Sequence, residues 1–257
     1  MKKLALILML LCLFATGCAG EQPTLHSPEE SKTEESTAPE ASDTVPETQP
    51  TQTESETTLP PETDGPKDEN TVSSLAEPDY LLPFTDYAWE REFDVEYVVL
   101  HFTSNVVNDK ANPYDLDAVK GILESTKTSA HYIIDRDGSV KCYIPENYAA
   151  WHAGAGTFAN DEKYTNKMNK YSIGIEILAI GSLNDMATYL TPTEYYSLPQ
   201  ELIGFTDEQY ESLRLLVKDI CERYSVPYDR EHIIGHEEYN PKKADPGELF
   251  DWDRLFS

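Results

Sequence analysis

The stretch that decides the fold is Glu96-Tyr97-Val98-Val99-Leu100-His101-Phe102. Its nearly continuous apolar run predicts a buried strand with a histidine close to its end. A second run, Tyr171-Ser172-Ile173-Gly174-Ile175-Glu176-Ile177-Leu178, predicts another strand. Because side chains alternate along a strand, the three isoleucines of this run face one side, and Ser172, Gly174 and Glu176 face the other. Glu176 is therefore expected on the face opposite an apolar surface.

Further strands are predicted around these two. His131-Tyr132-Ile133-Ile134 and Val140-Lys141-Cys142-Tyr143-Ile144 are predicted to form a hairpin around Asp135-Arg136-Asp137-Gly138, because Asp-Gly is a strong hairpin signal. His232-Ile233-Ile234-Gly235 predicts a last short strand.

Two helices are predicted from capping residues and apolar spacing. One begins at Asn112-Pro113, and the other begins at Thr206, where Gln209 can complete a capping box. Their apolar stripes are Leu116, Val119, Ile122 and Leu123 in the first helix, and Leu213, Leu216, Val217 and Ile220 in the second. Strands and helices mix without strict alternation, so we expect an α/β fold with a mixed central β-sheet flanked by helices.

The chain begins with the pattern of a secretory signal. Two lysines precede an apolar core at residues 4–14 that is too short to span a bilayer comfortably. Ala15-Thr16-Gly17-Cys18 resembles a bacterial lipobox, which implies cleavage before Cys18 and lipidation of its sulfur. We therefore expect a signal peptide over residues 1–17 and an extracytoplasmic lipoprotein anchored to a membrane by acyl chains. The alternatives are an uncleaved anchor helix and ordinary secretion with a free Cys18.

Residues 18–80 have the composition of a disordered linker. The segment is acidic, and ten of the chain's 17 prolines fall between Pro23 and Pro83. It contains too little apolar surface to offset the entropy lost on folding, so a flexible tether is predicted. The folded domain is expected over residues 81–257.

The net charge of −27 limits the classes of partner. Nucleic acid binding needs a basic face to neutralise phosphates, so we expect no nucleic acid partner. Cys142 and Cys221 are the cysteines of the predicted domain, and they either form a disulfide or stay as separate buried thiols.

Three residues outside any local motif have the chemistry of a metal site. His101 lies near the end of one predicted strand, His236 follows another, and Asp245 comes nine residues later. Two imidazoles and one carboxylate suit a catalytic zinc ion and leave a fourth position for water. Taken alone, this signal is weak, because a lone histidine on a strand is more often structural than a metal ligand.

Five blocks of sequence, taken together, resemble one family. The blocks are Ser129-Ala130-His131-Tyr132-Ile133-Ile134-Asp135-Arg136-Asp137-Gly138, Ala150-Trp151-His152-Ala153-Gly154, Ser172-Ile173-Gly174-Ile175-Glu176, Gly235-His236 and Lys243-Ala244-Asp245-Pro246-Gly247. They resemble the type-2 N-acetylmuramoyl-L-alanine amidases, which include AmpD-like enzymes, phage lysozyme-type amidases and peptidoglycan recognition proteins. The resemblance covers about residues 95–255, which implies a zinc site in a groove on the sheet.

The resemblance also implies a role for each matching residue. It implies that His101, His236 and Asp245 bind Zn²⁺, with the aspartate as the AmpD-like choice. It implies that Glu176 is the general base toward a zinc-bound water, and that Lys243 stabilises the oxyanion. Trp151, His152 and His131 match positions near the substrate groove. Phage-type members carry tyrosine where this chain has Ala130, which favours Glu176 as the base.

The predicted activity is hydrolysis of the amide bond between N-acetylmuramic acid and L-alanine in peptidoglycan by a monomeric zinc enzyme. One alternative is a peptidoglycan-binding module without catalysis, and another is a zinc peptidase that cuts a different bond of the stem peptide. The sequence leaves open the preferred stem peptide and glycan, the choice between intact wall and released muropeptides, the membrane that carries the anchor, and the physiological role.

Overall fold

The computed structural model describes residues 71–77 and 86–257. The strands in this part of the chain are β1 (Ala88–Glu90), β2 (Tyr97–Thr103), β3 (Tyr132–Ile134), β4 (Val140–Cys142), β5 (Tyr148–Ala150), β6 (Ser172–Leu178) and β7 (Ile233–Gly235). The α-helices are α1 (Leu116–Thr126), α2 (Pro192–Tyr196), α3 (Asp207–Tyr224), α4 (His236–Tyr239) and α5 (Trp252–Phe256), and short 3₁₀ turns occur at Met168–Lys170 and Gln200–Leu202.

The main sheet has five strands in the order β4-β3-β6-β2-β7. Four of the strands run parallel to one another: β3, β6, β2 and β7. The edge strand β4 pairs with β3 in the antiparallel direction, as the second arm of the predicted hairpin. The prediction of a mixed central sheet flanked by helices is confirmed. Strands β1 and β5 form a separate antiparallel pair that the sequence analysis did not predict.

The two faces of the sheet pack against different elements. Val98 and Leu100 of β2 and the isoleucines of β6 join the apolar residues of α3 in one buried cluster. On the other face, Val99 packs with Met168 and Tyr239. The alternation predicted for β6 is confirmed, because its isoleucines share the cluster with α3. Burial of these side chains is the main force that holds the layers together.

The cap predicted for α3 is confirmed, and the one predicted for α1 is wrong. Thr206 and Gln209 form a reciprocal capping box at the start of α3. Helix α1 begins at Leu116 instead of Asn112-Pro113, because the carboxylate of Asp115 accepts the backbone N–H of Ala118 at 2.8 Å. Aspartate is as good an N-cap residue as asparagine, and its position decides the first turn.

Residues 71–77 belong to the folded domain, so the boundary predicted at residue 81 is too late in the chain. The backbone N–H of Ser73 donates to the hydroxyl of Tyr132 at 2.8 Å, and Ser73 is buried. Glu77 extends the outer edge of β4, because its N–H donates to Val140 O at 2.9 Å and its carbonyl accepts Cys142 N at 3.0 Å. The predicted signal peptide, Cys18 and the linker up to residue 70 lie outside the described residues.

Two further expectations concern the described part of the chain. Cys142 and Cys221 are both buried free thiols, so the disulfide alternative is wrong. Burial raises the pKa of Cys142 to about 12 and that of Cys221 to about 11. No helix within residues 71–77 and 86–257 is long and apolar enough to cross a membrane.

A buried carboxylate links several elements on the helix α3 side of the sheet. Glu146 has no exposed surface, and its two oxygens accept hydrogen bonds from Arg223, Tyr224 and Tyr132. Arg223 keeps a second partner, because its Nη2 lies 2.8 Å from Asp219 Oδ2, so loss of the Glu146 charge mainly weakens charge-assisted hydrogen bonds, which are worth roughly 1.5–3 kcal/mol.

We predict that Glu146→Gln lowers the free energy of unfolding by about 2 kcal/mol, because the hydrogen bonds that Arg223, Tyr224 and Tyr132 donate to the buried carboxylate are weakened. Urea unfolding measures the change. The matched control is Glu222→Gln, which removes the same charge from an exposed position on α3 and should change stability by less than about 0.5 kcal/mol. Equal losses in the two variants would contradict the structural role of Glu146.

His131 is a second buried ionisable group, and its surroundings keep it neutral. The N–H of Gly174 donates to His131 Nδ1 at 2.9 Å, and His131 Nε2 donates to Tyr148 O at 3.1 Å. Burial, followed by the nearby Arg91 guanidinium, lowers the pKa of His131 well below its ordinary value. In the unfolded chain the same histidine gains a proton below a pH of about 6.5.

We predict that His131 makes the protein less stable as the pH falls from 7 to 5. Protonation then favours the unfolded chain, so the free energy of unfolding decreases by up to about 1.4 kcal/mol per pH unit for this one proton. Urea unfolding of the metal-free protein across this pH range should give a shallower slope for His131→Asn than for the wild type. Identical slopes would show that His131 is not held neutral in the folded state.

Candidate metal centre

His101 and His236 reach the site from neighbouring parallel strands. His101 in β2 is in register with Glu176 of β6, and Leu100 of β2 is in register with Gly235, the last residue of β7. His236 follows directly as the first residue of α4. His101 and Glu176 each lie two residues before the carboxyl end of their strand, so the side chains converge on one face of the sheet near its carboxyl edge.

Asp245 comes from the loop after α4, and backbone contacts fix this loop. The N–H of Glu237 donates to Asp245 O at 3.1 Å. Farther along, the buried carboxylate of Asp185 accepts Glu248 N at 3.1 Å. Gly247, with φ at +85°, packs so closely that an added Cβ would lie 2.6 Å from Asp185 Oδ2. The loop therefore has little freedom to move Asp245.

Three ligand atoms converge at the centre of the site. His101 Nδ1 lies 3.1 Å from His236 Nδ1 and 2.7 Å from Asp245 Oδ2, and His236 Nδ1 lies 2.9 Å from the same oxygen. His236 Nε2 donates to Ala153 O at 2.9 Å, which leaves the Nδ1 lone pair of His236 directed at the site. Two imidazole nitrogens and one carboxylate oxygen at these separations form a donor set that fits one divalent metal ion.

Burial and mutual contact set the charges of this donor set. Burial lowers the pKa of His101 to about 4, so its imidazole is neutral near pH 7, as metal binding requires. Burial alone would raise the pKa of Asp245, but the imidazoles of His101 and His236 beside it hold it well below its usual range. The site therefore offers two neutral nitrogens and one negative oxygen to a cation.

Glu176 and Lys243 lie close enough to the centre to act on it electrostatically. Burial, reinforced by the nearby Asp245 carboxylate, raises the pKa of Glu176 to about 8, while Lys243 opposes this shift. Glu176 Oε2 is buried without a hydrogen-bond partner in the described part of the chain. Near pH 7 this pKa keeps Glu176 mostly protonated in the metal-free site, and a bound cation would favour the carboxylate, which can then accept and return a proton.

The three residues predicted near the groove occupy different environments. Trp151 is about half-exposed, at 51%, and packs edge-to-face against Trp89 at 5.4 Å between ring centroids. His131 is fully buried. His152 is also buried, with Nδ1 3.0 Å from His101 Nε2, so it lies behind a ligand of the proposed metal site. That both histidines lie near a substrate groove stays a prediction.

Sequence reasoning missed other residues that support the site. Trp89 extends the exposed aromatic surface, and its only sequence signal is an isolated tryptophan before β2. Arg91 is largely buried and donates to the carbonyls of Tyr148 and Ser172, both at 3.0 Å. Asn169 accepts the backbone N–H groups of the segment that follows Trp151. Nothing in the local sequence around Arg91 or Asn169 indicates these contacts.

The chain is similar to known proteins along most of its described part. Residues 91–248 match the profile of the family described as N-acetylmuramoyl-L-alanine amidase (Amidase_2). The 1,6-anhydro-N-acetylmuramyl-L-alanine amidase AmpD of Haemophilus influenzae is 33% identical over 177 residues, which cover 64% of this chain and 82% of that protein. AmpD of Enterobacter cloacae is 32% identical over 165 residues, with 64% of this chain and 71% of that protein covered.

A solved structure shares the fold. The crystal structure of a selenomethionine derivative of AmpD matches with a TM-score of 0.52 and 22% identity, and the match covers 73% of this chain and 96% of that one. The family match extends over more than half of this chain, and it includes the strands and loops that carry the three converging side chains. The chain therefore belongs to the N-acetylmuramoyl-L-alanine amidase family and is an amidase.

Proposed function

We propose that this enzyme uses a zinc ion held by His101, His236 and Asp245 to hydrolyse the bond between N-acetylmuramic acid and L-alanine in peptidoglycan. The observation that carries the proposal is the convergence of His101 Nδ1, His236 Nδ1 and Asp245 Oδ2 within 3.1 Å of one another. The names of the AmpD relatives describe hydrolysis of an N-acetylmuramyl-L-alanine amide, which supports this choice of substrate bond.

The donor set favours zinc over other common cations. Calcium and magnesium prefer six or more oxygen ligands, whereas two imidazoles with one carboxylate are a typical set for catalytic zinc. When bound, zinc supplies Lewis acidity, which makes water a stronger nucleophile at neutral pH and polarises a carbonyl group. Three protein ligands leave room for water or substrate at the ion.

Glu176 moves the proton of the reaction. In hydrolysis, the oxygen of water bonds to the lactyl carbonyl carbon, and the bond from this carbon to the alanine nitrogen breaks. Glu176 accepts a proton from the attacking water and passes it to the leaving nitrogen, and the new carboxylic acid releases the second proton of the water. The products are the lactyl carboxylate and a stem peptide whose L-alanine has a free amino group. Two observations on Glu176 support this role: it is in register with His101, and its buried Oε2 has no hydrogen-bond partner in the described part of the chain.

Lys243 stabilises the charge that develops on the carbonyl oxygen. Its ammonium lies near enough to both His101 and Glu176 to lower their pKa values. An oxyanion formed from the scissile carbonyl gains a positive neighbour there, an effect worth roughly 3–4 kcal/mol for one donor.

A binding module without catalysis is a weaker candidate. Such a module has no need for a complete donor set, nor for a carboxylate buried without a partner beside it. Burial of an unpartnered carboxylate costs stability, and sites of catalysis are where proteins accept such a cost.

We predict that Glu176→Gln and Lys243→Met each lower kcat on a defined muropeptide by roughly 10²–10³-fold, with little change in KM, because both act mainly in the transition state. Mass spectrometry of the products checks the bond that is cut. The control Glu222→Gln should keep wild-type kcat. Near wild-type kcat in Glu176→Gln would remove the base assignment, and cleavage within the stem peptide would favour the zinc peptidase alternative.

We also propose that the enzyme is an extracytoplasmic lipoprotein held on a membrane through Cys18. The support is the charged start, the short apolar core and Ala15-Thr16-Gly17-Cys18. More than one acyl chain on one cysteine gives stable anchoring, which a single chain does not.

We predict that the full-length protein incorporates a labelled fatty acid when it is produced in bacteria, and that Cys18→Ser abolishes the label. The matched control is Cys12→Ser, which should keep the label because residue 12 leaves with the signal peptide. Labelling of Cys18→Ser at the wild-type level would contradict the lipoprotein assignment.

A further inference from the structure

A chain of hydrogen bonds runs from the back of the ligand His101 into the domain. His101 Nε2 lies 3.0 Å from His152 Nδ1, and His152 Nε2 lies 3.1 Å from Ser172 Oγ. The hydroxyl of Ser172 donates to Met168 O at 2.7 Å. His101, His152 and Ser172 are all buried, so water does not compete for these contacts.

The carbonyl of Met168, the last acceptor in this series, sets the direction of every hydrogen bond in it. A backbone carbonyl only accepts, so the single hydrogen of the Ser172 hydroxyl points to Met168 O. Ser172 Oγ then accepts from His152 Nε2, which leaves His152 Nδ1 without a proton. His152 Nδ1 therefore accepts from His101 Nε2, and the proton of neutral His101 resides on Nε2. The lone pair of His101 Nδ1 is thereby presented to the metal position.

Ala153, the residue after His152, orients the second histidine ligand, His236, in the same way. Ala153 O accepts from His236 Nε2 at 2.9 Å. Asn169 Oδ1 fixes the segment, because it accepts His152 N at 3.1 Å and Ala153 N at 2.7 Å. Two adjacent residues thus provide one acceptor for each ligand histidine.

Strand β6 leaves space for this arrangement. An added Cβ at Gly174 would lie 2.4 Å from Cγ of His152, which is too close for any side chain. The imidazole of His152 therefore packs directly on the backbone of β6, between Ser172 and His101. A group packed and hydrogen-bonded on both sides holds one orientation.

We propose that His152 and Ser172 are positioning residues that fix His101 in the metal-binding tautomer and so set the affinity of the site for zinc. The inference rests on the proposed zinc centre but concerns metal binding and does not depend on the bond that is hydrolysed. Outer partners of ligand histidines commonly change metal affinity by 10–100-fold when they are removed.

The test is the dissociation constant of Zn²⁺ for the full-length apoprotein, measured by competition with a chromophoric chelator. His152→Leu removes the acceptor and should weaken binding by roughly 10–100-fold. His152→Asn keeps an oxygen acceptor near the place of Nδ1 and should bind within a few-fold of the wild type. Ser172→Ala removes the group that directs the His152 proton and should weaken binding as well. The control is His232→Asn, a surface histidine paired with Asp229, which should leave zinc affinity unchanged.

Two readouts separate positioning from damage to the fold. The melting temperature of each apoprotein shows whether it folds, and the visible spectrum of the Co²⁺-loaded protein reports ligand geometry. If His152→Leu does not fold, Ser172→Ala decides. Wild-type affinity and an unchanged Co²⁺ spectrum in folded His152→Leu and Ser172→Ala would overturn this inference alone. Failure of the wild type to bind zinc would overturn the proposed zinc mechanism as well.

Discussion

The parallel pairing of β2 with β6 and β7 is the constraint on which the rest of the structure depends. It places His101 in register with Glu176 and brings the end of β7, and with it His236, beside β2. A shift of one residue in either pairing would turn these side chains to the opposite face of the sheet. The register is secured from the other face, where Val98, Leu100 and the isoleucines of β6 are buried against α3. Side chains alternate along β2 and β6, so one face of these strands forms the apolar core and the other face carries the proposed metal centre.

The metal centre concentrates groups that are costly to bury without a cation. The carboxyl groups of Asp245 and Glu176 lie close enough for Asp245 to raise the pKa of Glu176. The Nδ1 atoms of His101 and His236 point at the same position. A divalent ion would balance this charge, and Lys243 adds a positive group at the edge. Pre-arranged ligands lower the cost of ordering when the ion binds, and they keep its open position in a defined place. If the proposed ion binds here, it serves both the stability of the site and the reaction.

Much of the fold follows from local patterns, and part of the site does not. The β2 and β6 runs, the Asp-Gly turn and the Thr206 cap are decided by residues close in sequence, so they were predicted correctly. The start of α1 was missed because Asn112 and Asp115 are both suitable caps, and which one is used depends on tertiary packing. Residues 71–77 were assigned to the linker because their composition is polar, while Ser73 and Glu77 gain their order from contacts with Tyr132 and β4. The motifs predict that His131 and His152 lie near the groove, but how deeply each is buried depends on the elements packed above it, which no motif encodes.

The binding of one zinc ion by three residues far apart in the sequence is tested by the metal content of the purified protein, measured by inductively coupled plasma mass spectrometry. One zinc per chain is expected in the wild type, with nearly complete loss in Asp245→Ala and in His236→Ala, because the site then lacks a ligand. A folded wild type that holds no zinc after exposure to it, or an Asp245→Ala variant that keeps one zinc per chain, would rule out this zinc centre.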